Sequence, residues 1–268
     1  MSMIILLIVL GLFLNVPLIA EDIKPLYQLP DRVVSIDEKD SNLSNFIVGS
    51  DNGLFKITSN NNAIPIWTEG RVDQIVQVNL PSEKKQPSPC LIMRTSKGIL
   101  FTSDLENFEE RNEGLPFLTI KKYKNKETSL EKQIQELKDI GVNPVNNSQI
   151  VTATKDTVFY SCDAGKSWKN IGSMSKTTAG IKAVAIATIE GETVVFMSHP
   201  IFGFSYIFPD RKNPAWNDVS SGFEIMPSLT SPDEIADILP IVRTRADGSV
   251  FTEIYISQTY IPRLYRFI

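Results

Sequence analysis

The octapeptide Ser161–Trp168, with the sequence SCDAGKSW, places one carboxylate between two hydroxyl groups. Asp163 can accept hydrogen bonds from backbone N–H groups one and two residues further on, as in an Asx turn, and Ser161 and Ser167 can bond across the same turn. The carboxylate could instead take part directly in catalysis. Because each of these residue types has a role in holding a tight turn, we expect Asp163 to fix the backbone and not to react.

The residues around this carboxylate predict a hairpin between two antiparallel strands. The apolar segment Thr157–Tyr160 comes directly before the octapeptide and is typical of a strand. Gly165 supplies the positive φ that such a turn needs. Trp168 begins the returning strand, and we expect its ring to pack against the sheet and to be largely buried.

The pattern S-x-D-x-G-x-S-W resembles the Asp-box, or BNR repeat, of β-propeller proteins such as sialidases, sortilin-type receptors and photosystem assembly factors. The resemblance implies an all-β fold built from four-stranded blades. It also implies a structural role for the residues that match the motif, namely Ser161, Asp163, Gly165, Ser167 and Trp168. It indicates an architecture far more specifically than an activity.

The same arrangement recurs along the chain as an apolar strand, a turn, an aromatic-rich strand and then a Trp or Phe. Five such segments begin at Asn45, Cys90, Gln149, Val194 and Glu253. Gly53, Gly98 and Gly203 lie at spacings of ~45 residues or its multiples, the size of a four-stranded blade. Val72–Val78 and Ile181–Ala187 alternate with period two and are predicted as strands between the repeats. We therefore predict an all-β β-propeller with about five recognisable repeats.

Two of the other repeats keep parts of the motif. The second repeat has Ser103 and Asp104 but lacks the glycine, and it reaches its aromatic residue, Phe108, one residue sooner. The fourth repeat keeps Asp210 and Trp216.

An insertion at about residues 118–142 interrupts the repeats. Leu130, Ile134 and Leu137 fall on one face of a helix, and Gly141 is placed to end it. We therefore predict a short amphipathic helix over Ser129–Gly141, packed on the edge of the propeller just before the third repeat.

The first twenty residues are typical of an export signal. The segment Met3–Ile19 is almost wholly apolar, and Ala20 precedes two acidic residues. We favour a signal peptide cleaved after Ala20, with an uncleaved N-terminal membrane anchor as the alternative. In both cases residues 21–268 form the propeller and lie outside the cytoplasm, secreted or periplasmic. Contact with a membrane is expected only through an uncleaved N-terminal segment.

Composition argues against several classes of protein. The formal net charge is −4 without long blocks of one sign, so no nucleic-acid partner is expected. Cys90 and Cys162 are fewer cysteines than a disulfide-stapled secreted domain uses, and we expect them not to be bonded. His199 is the only histidine, and no metal-site or catalytic-triad motif accompanies it. We expect a loop histidine and no metal or cofactor.

Three functions are open at this point. The favoured one is a non-catalytic exported scaffold that binds a protein or glycan partner through its loops. Arg211, Lys212 and Trp216 form a candidate binding loop, although Trp216 also aligns with Trp168 as a packing residue. The second is an accessory N-terminal module of a larger secreted glycoside hydrolase. The third is a sialidase-like glycosidase, but the (F/Y)-R-I-P motif of those enzymes is absent and Ile261-Pro262-Arg263 has the wrong order.

The C-terminal segment Leu264–Phe267 aligns with the third strand of a repeat. Either residues 25–29 supply the missing outer strand and close a small ring, which removes exposed sheet edges, or the repeats continue in a longer protein.

Overall fold

The computed structural model describes residues 33–38, 46–58, 62–80, 88–124, 127–174, 179–223, 235–258 and 264–267. Within these ranges the chain is all-β and forms six small antiparallel sheets. The helical element found there is a single 3-10 turn, Ser220–Gly222. The described part contains no helix that is long and apolar enough to cross a membrane.

Five of the sheets are meanders in which strands adjacent in sequence pair with each other. The first sheet contains β1 (Val33–Glu38), β2 (Phe46–Ser50), β3 (Gly53–Ile57) and β4 (Ala63–Trp67). The second contains β5 (Val72–Leu80), β6 (Ser88–Thr95), β7 (Gly98–Thr102) and β8 (Glu109–Glu110). A separate hairpin follows, formed by β9 (Phe117–Lys124) and β10 (Glu127–Ile134).

The remaining three meanders follow this hairpin. The third sheet contains β11 (Asp139–Val142), β12 (Ile150–Ala153), β13 (Thr157–Ser161) and β14 (Lys169–Ser173). The fourth contains β15 (Ala183–Ile189), β16 (Glu192–His199), β17 (Gly203–Ile207) and β18 (Asn217–Asp218). The fifth contains β19 (Ile235–Thr244), β20 (Val250–Gln258) and β21 (Leu264–Phe267). The first apolar segment of each predicted repeat is the second strand of one meander.

Four hydrophobic clusters lie between consecutive sheets, because the side chains on the two faces of a strand pack into different hydrophobic cores. In β12, Ile150 packs toward the second sheet and Val151 toward the fourth. In β15, Val184 faces the third sheet while the small residues Ala183 and Ala185 face the fifth. Successive side chains of a strand point to opposite faces. A strand that is covered on both faces therefore has an uninterrupted run of apolar residues in its sequence.

The first strands of successive sheets lie against each other in sequence order: β1 on β5, β5 on β11, β11 on β15 and β15 on β19. Polar side chains near the starts of these strands bridge them. The side-chain amide of Gln74 donates to the carbonyl of Ile140 at 3.1 Å and accepts its N–H at 3.2 Å. The Asp139 carboxylate accepts the N–H of Val184 at 2.9 Å. Because their starts are bridged, these inner strands run in the same direction.

This common direction gives the sheets two distinguishable ends. We call the end at which the inner strands begin the entry face. The connections between second and third strands lie there, at Ser50–Gly53, Thr95–Gly98 and His199–Gly203. The connections between third and fourth strands, including the octapeptide, lie at the opposite face.

The predicted helix over Ser129–Gly141 is wrong. Glu127–Ile134 is strand β10 and pairs with β9, in which β-branched and aromatic residues favour extended structure. Ile134 and Leu137 are buried in the core between the second and third sheets, whereas Leu130 is 68% exposed, so the three do not share a face. Strand pairing therefore overrides the helical spacing.

Gly141 has a different role from the predicted helix end. A Cβ placed on Gly141 would lie 3.1 Å from the Cα of Ala185, so the absence of a side chain lets β11 approach β15 closely. The predicted strands around 72–78 and 181–187 correspond to β5 and β15, and Leu264–Phe267 is the third strand of its sheet. The predicted export signal and residues 25–29 lie outside the described residues.

Candidate functional site

The octapeptide connects β13 to β14, and Asp163 lies at the centre of its hydrogen bonds. One carboxylate oxygen accepts the hydroxyl of Ser161 at 2.7 Å and the backbone N–H of Ser167 at 2.9 Å. The other accepts the hydroxyl of Ser167 at 2.5 Å. Partial burial raises the pKa of Asp163, but these hydrogen bonds outweigh it and hold the pKa below its usual range. The carboxylate therefore stabilises the turn in its ionised form.

Some of the hydrogen-bond donors to Asp163 differ from those predicted from the sequence. The backbone N–H that reaches Asp163 belongs to Ser167, four residues on, and not to the residues one and two further on. The N–H of Gly165 donates instead to the hydroxyl of Ser161 at 2.8 Å. Gly165 has a φ of 85°, as predicted, and Ala164 before it also has a positive φ of 61°.

The octapeptide is clamped to the preceding sheet through Trp168. The Trp168 side chain is 6% exposed, and its indole N–H donates to the carbonyl of Arg111 at 2.8 Å. The guanidinium of Arg111 donates in return to the carbonyl of Ala164 at 2.7 Å. Arg111 is itself buried over the ring of Phe101 and is paired with Glu109. The predicted burial of Trp168 is confirmed.

Sequence reasoning missed Arg111. Its partner Ala164 lies 53 residues away, and no local motif connects the two. Its position just after the short strand β8 is the signal that the sequence offers.

A shorter version of the octapeptide turn connects β7 to β8. Asp104 accepts the backbone N–H groups of Glu106 at 2.9 Å and of Asn107 at 2.8 Å. Leu105 has a φ of 65°, close to that of the equivalent Ala164 in the octapeptide. The hydroxyl that caps this turn belongs to Thr102, which accepts the N–H of Leu105 at 2.9 Å, and not to Ser103.

The candidate binding loop divides into two parts. Trp216 is half-buried, and its indole N–H donates to the carbonyl of Ile171 at 3.2 Å in the last strand of the preceding sheet, as Trp168 does to its own preceding sheet. Arg211 stacks 3.6 Å from the ring centroid of Phe208 and forms an ion pair with Glu192. Lys212 is exposed. A binding role for this loop stays a prediction.

His199 ends strand β16 and is buried, which differs from the loop position expected for it. Its Nδ1 atom accepts the backbone N–H groups of Ile201 at 3.0 Å and Phe202 at 3.2 Å. Hydroxyl groups have this role in the equivalent turns, where Ser50 and Thr95 accept backbone N–H bonds. Burial, with a smaller contribution from the charge of Lys182, lowers the pKa of His199.

A cavity of about 250 Å³ lies between the inner strands, lined in part by Gln74, Asp139, Val184 and Asp237. Burial raises the pKa of Asp139 to about 6, although backbone N–H bonds oppose this shift. Both carboxylate oxygens of Asp139 are engaged, one with the N–H of Ile140 at 2.8 Å and the other with that of Val184. Asp139 thus joins β11 to β15 at the cavity wall.

The hairpin β9–β10 exposes apolar and basic side chains together. Phe117, Leu118 and Leu130 are each more than half exposed, and Lys121 and Lys132 are exposed beside them. A cleft of about 380 Å³ separates the hairpin from the entry face of the second sheet, with residues from both sides in its wall.

The cysteines and metal ligands add little to this description. Cys90 and Cys162 are not joined by a disulfide; Cys90 is buried in β6 and Cys162 is exposed in the octapeptide. Across the described ranges, no group of three or more His, Cys, Asp or Glu side chains is arranged to hold a metal ion.

No protein-family model matches the sequence, and no curated protein matches it either. Among solved structures, the chain is similar to the extracellular domain of a putative one-component system from B. thetaiotaomicron, with 13% identity and a TM-score of 0.54 over 91% of this chain and 28% of that chain. It is also similar to an ancestral GH74 enzyme, with 12% identity and a TM-score of 0.53 over 88% of this chain and 30% of that chain. Both are β-propeller-type folds. The chain spans less than a third of either protein, and the likeness shows the fold alone.

Proposed function

We propose that this chain is an exported β-propeller scaffold that binds a protein or glycan partner and performs no chemistry itself. The observation that carries the proposal is the stacking of meanders through their first strands, in sequence order and in one direction, with a cavity of about 250 Å³ among four of these strands. Radial repetition of this kind is how propellers protect sheet edges. The octapeptide, interpreted as an Asp-box, supports it because the motif fixes one sheet on the next.

The entry face is the binding surface that the geometry favours. The turns between second and third strands, the cavity mouth near Asp139 and Asp237, and the hairpin β9–β10 all lie at this end. Loops on a rigid scaffold are where binding residues concentrate. The loop containing Arg211 and Lys212 lies at the opposite face and is a second candidate surface.

The apolar segment Met3–Ile19 supports a location outside the cytoplasm, which also fits the description of one structural neighbour as an extracellular domain. We therefore include export, secreted or periplasmic, in the proposal.

An accessory module of a larger secreted glycoside hydrolase is the second candidate. It is favoured by the similarity to 30% of the length of a GH74 enzyme. In that case hydrolysis would belong to another part of the protein. Within this chain, Asp139 has the raised pKa of a candidate acid, but both its oxygens accept backbone N–H groups, which favours a structural role.

The test is a glycan array probed with residues 21–268, with mass spectrometry of the array for cleaved sugars. For a glycan partner, the proposal expects retention of a defined set of glycans without cleavage. Cleavage that is lost in Asp139→Asn, at unchanged far-UV circular dichroism, would show that the chain is an enzyme and overturn the proposal.

A further inference from the structure

The hairpin β9–β10 projects from the sheets and is anchored mainly at its base. Ile134 is buried in the core between the second and third sheets, and the N–H of Gln135 donates to the carbonyl of Pro116 at 2.9 Å. Further along the hairpin, Leu118 and Leu130 are exposed on opposite faces. An isolated two-stranded hairpin is only marginally stable in water, so a third strand or a cover would stabilise this one.

Both long edges of the hairpin are open in the described structure. Within the described ranges, β9 and β10 pair with each other and with no other strand. An open edge presents backbone N–H and C=O groups to any extended segment that can align with it. The two edges differ in charge: Phe117–Lys124 carries three lysines and no acid, whereas Glu127–Ile134 carries two glutamates and one lysine.

The ion pairs of the β9 side chains increase this difference in charge between the two edges. Lys122 forms an ion pair with Glu131 across the hairpin, whereas Lys121, opposite Leu130, has no carboxylate within 4 Å among the described residues. The chain as a whole has a formal charge of −4, so this edge is a local reversal of sign. A second copy paired edge to edge at β9 would bring the lysines of two strands into one sheet without adding a carboxylate, whereas an acidic segment would offset their charge.

We propose that the β9 edge of this hairpin is a docking site for an extended acidic polypeptide segment, which adds as a third strand and places carboxylates beside Lys121 and Lys122. The inference rests on the proposed partner-binding function and names the class of partner and its position. The main-chain bonds of the added strand supply affinity. Lys121 and Lys122 are consecutive and point to opposite faces of β9, so they select carboxylates on both faces of the partner strand.

The test uses residues 21–268 and a fluorescein-labelled Glu-Val octapeptide with two pairs of adjacent glutamates, whose carboxylates point to both faces of the added strand as Lys121 and Lys122 do. Binding is followed by fluorescence anisotropy. The controls are the same peptide with a central Val replaced by Pro, a Lys-Val peptide, heparin and anionic phosphatidylserine vesicles. The double variant Lys121→Glu/Lys122→Glu is compared with Lys169→Glu, which changes an exposed lysine of β14 outside both candidate binding surfaces, after far-UV circular dichroism shows both to be folded.

We expect the Glu-Val peptide to bind about tenfold more tightly than the Pro-containing or Lys-Val peptide. Only the Glu-Val peptide can form all the main-chain hydrogen bonds of an added strand and also place negative charges beside the lysines. The Lys121→Glu/Lys122→Glu protein should bind about tenfold more weakly, and the Lys169→Glu protein should bind as the wild type does. Hydrogen exchange should show new protection at the amides of Thr119–Lys124.

Equal binding of the Pro-containing peptide, or binding of heparin or vesicles in place of the peptide, would overturn strand addition. A partner retained by the Lys121→Glu/Lys122→Glu protein but lost by a third variant, Lys212→Glu in the loop at the opposite face, would overturn the docking site while leaving the proposed scaffold function intact.

Discussion

The indole N–H of Trp168 donates to the carbonyl of Arg111 at 2.8 Å, and the guanidinium of Arg111 donates back to the octapeptide at the carbonyl of Ala164. This reciprocal pair joins a turn of the third sheet to the end of the second. Trp216 makes the corresponding bond to Ile171 one sheet further on. The tryptophans that close these repeats therefore hold consecutive sheets together.

Trp168→Ala should strongly destabilise the protein. Truncating a buried aromatic side chain typically costs ~3–5 kcal/mol of the free energy of unfolding. Trp168→Phe keeps most of the packing but leaves the Arg111 carbonyl without its donor, a smaller loss of ~1–3 kcal/mol. Urea denaturation followed by far-UV circular dichroism measures both. A Trp168→Ala protein as stable as the wild type would contradict the clamp.

Asp163→Ala should lower stability without removing binding selectively. The turn loses three hydrogen bonds to the carboxylate, each worth ~1 kcal/mol at most in this half-exposed setting. Asp163→Asn is the matched control, since it keeps one acceptor and should be intermediate in melting temperature. An unchanged melting temperature together with lost partner binding would assign the carboxylate a functional role.

Local patterns in the sequence were enough to predict the strands of the repeats and the octapeptide hairpin. Gly165 and Trp168 could be placed because a positive φ and a buried ring are properties of one turn. Arg111 and the Gln74–Ile140 bridge could not, since each depends on residues distant in sequence. The helix over Ser129–Gly141 failed for a related reason: the pairing of β10 with β9 decided its structure.

Asp139 should make stability fall as the pH rises. Burial raises its pKa from the ordinary value of 3.8 to about 6, so the folded protein holds this proton more tightly than the unfolded chain. The stabilisation is present below the lower value and is lost as the pH rises through the higher one. Asp139→Asn removes this dependence, so the melting-temperature difference between wild type and variant should change between pH 4 and 6 and be constant above about pH 7. A difference independent of pH would contradict the assignment.

His199 should have the opposite effect to Asp139 and make stability fall as the pH falls. Its Nδ1 atom accepts two backbone N–H groups, so the ring must be neutral with its proton on Nε2, and burial lowers its pKa below the ordinary 6.5. A histidine whose pKa is lowered by folding contributes stability above that ordinary value and loses it as the pH falls toward the folded value. Protonation at Nδ1 would break both bonds to the turn at Ile201 and Phe202.

The matched variant for this prediction is His199→Thr, because Thr95 caps the equivalent turn of the second sheet with a group that does not titrate. We expect the wild type to lose stability relative to His199→Thr as the pH falls below 6.5, the ordinary pKa of histidine. His199→Ala should lack the turn bonds at every pH. Hydrogen exchange at Ile201 and Phe202 reports the turn directly and should quicken at low pH in the wild type alone, beyond the intrinsic dependence of exchange on pH. An imidazole that titrates at or above its ordinary pKa by NMR would contradict the bonds drawn to Nδ1.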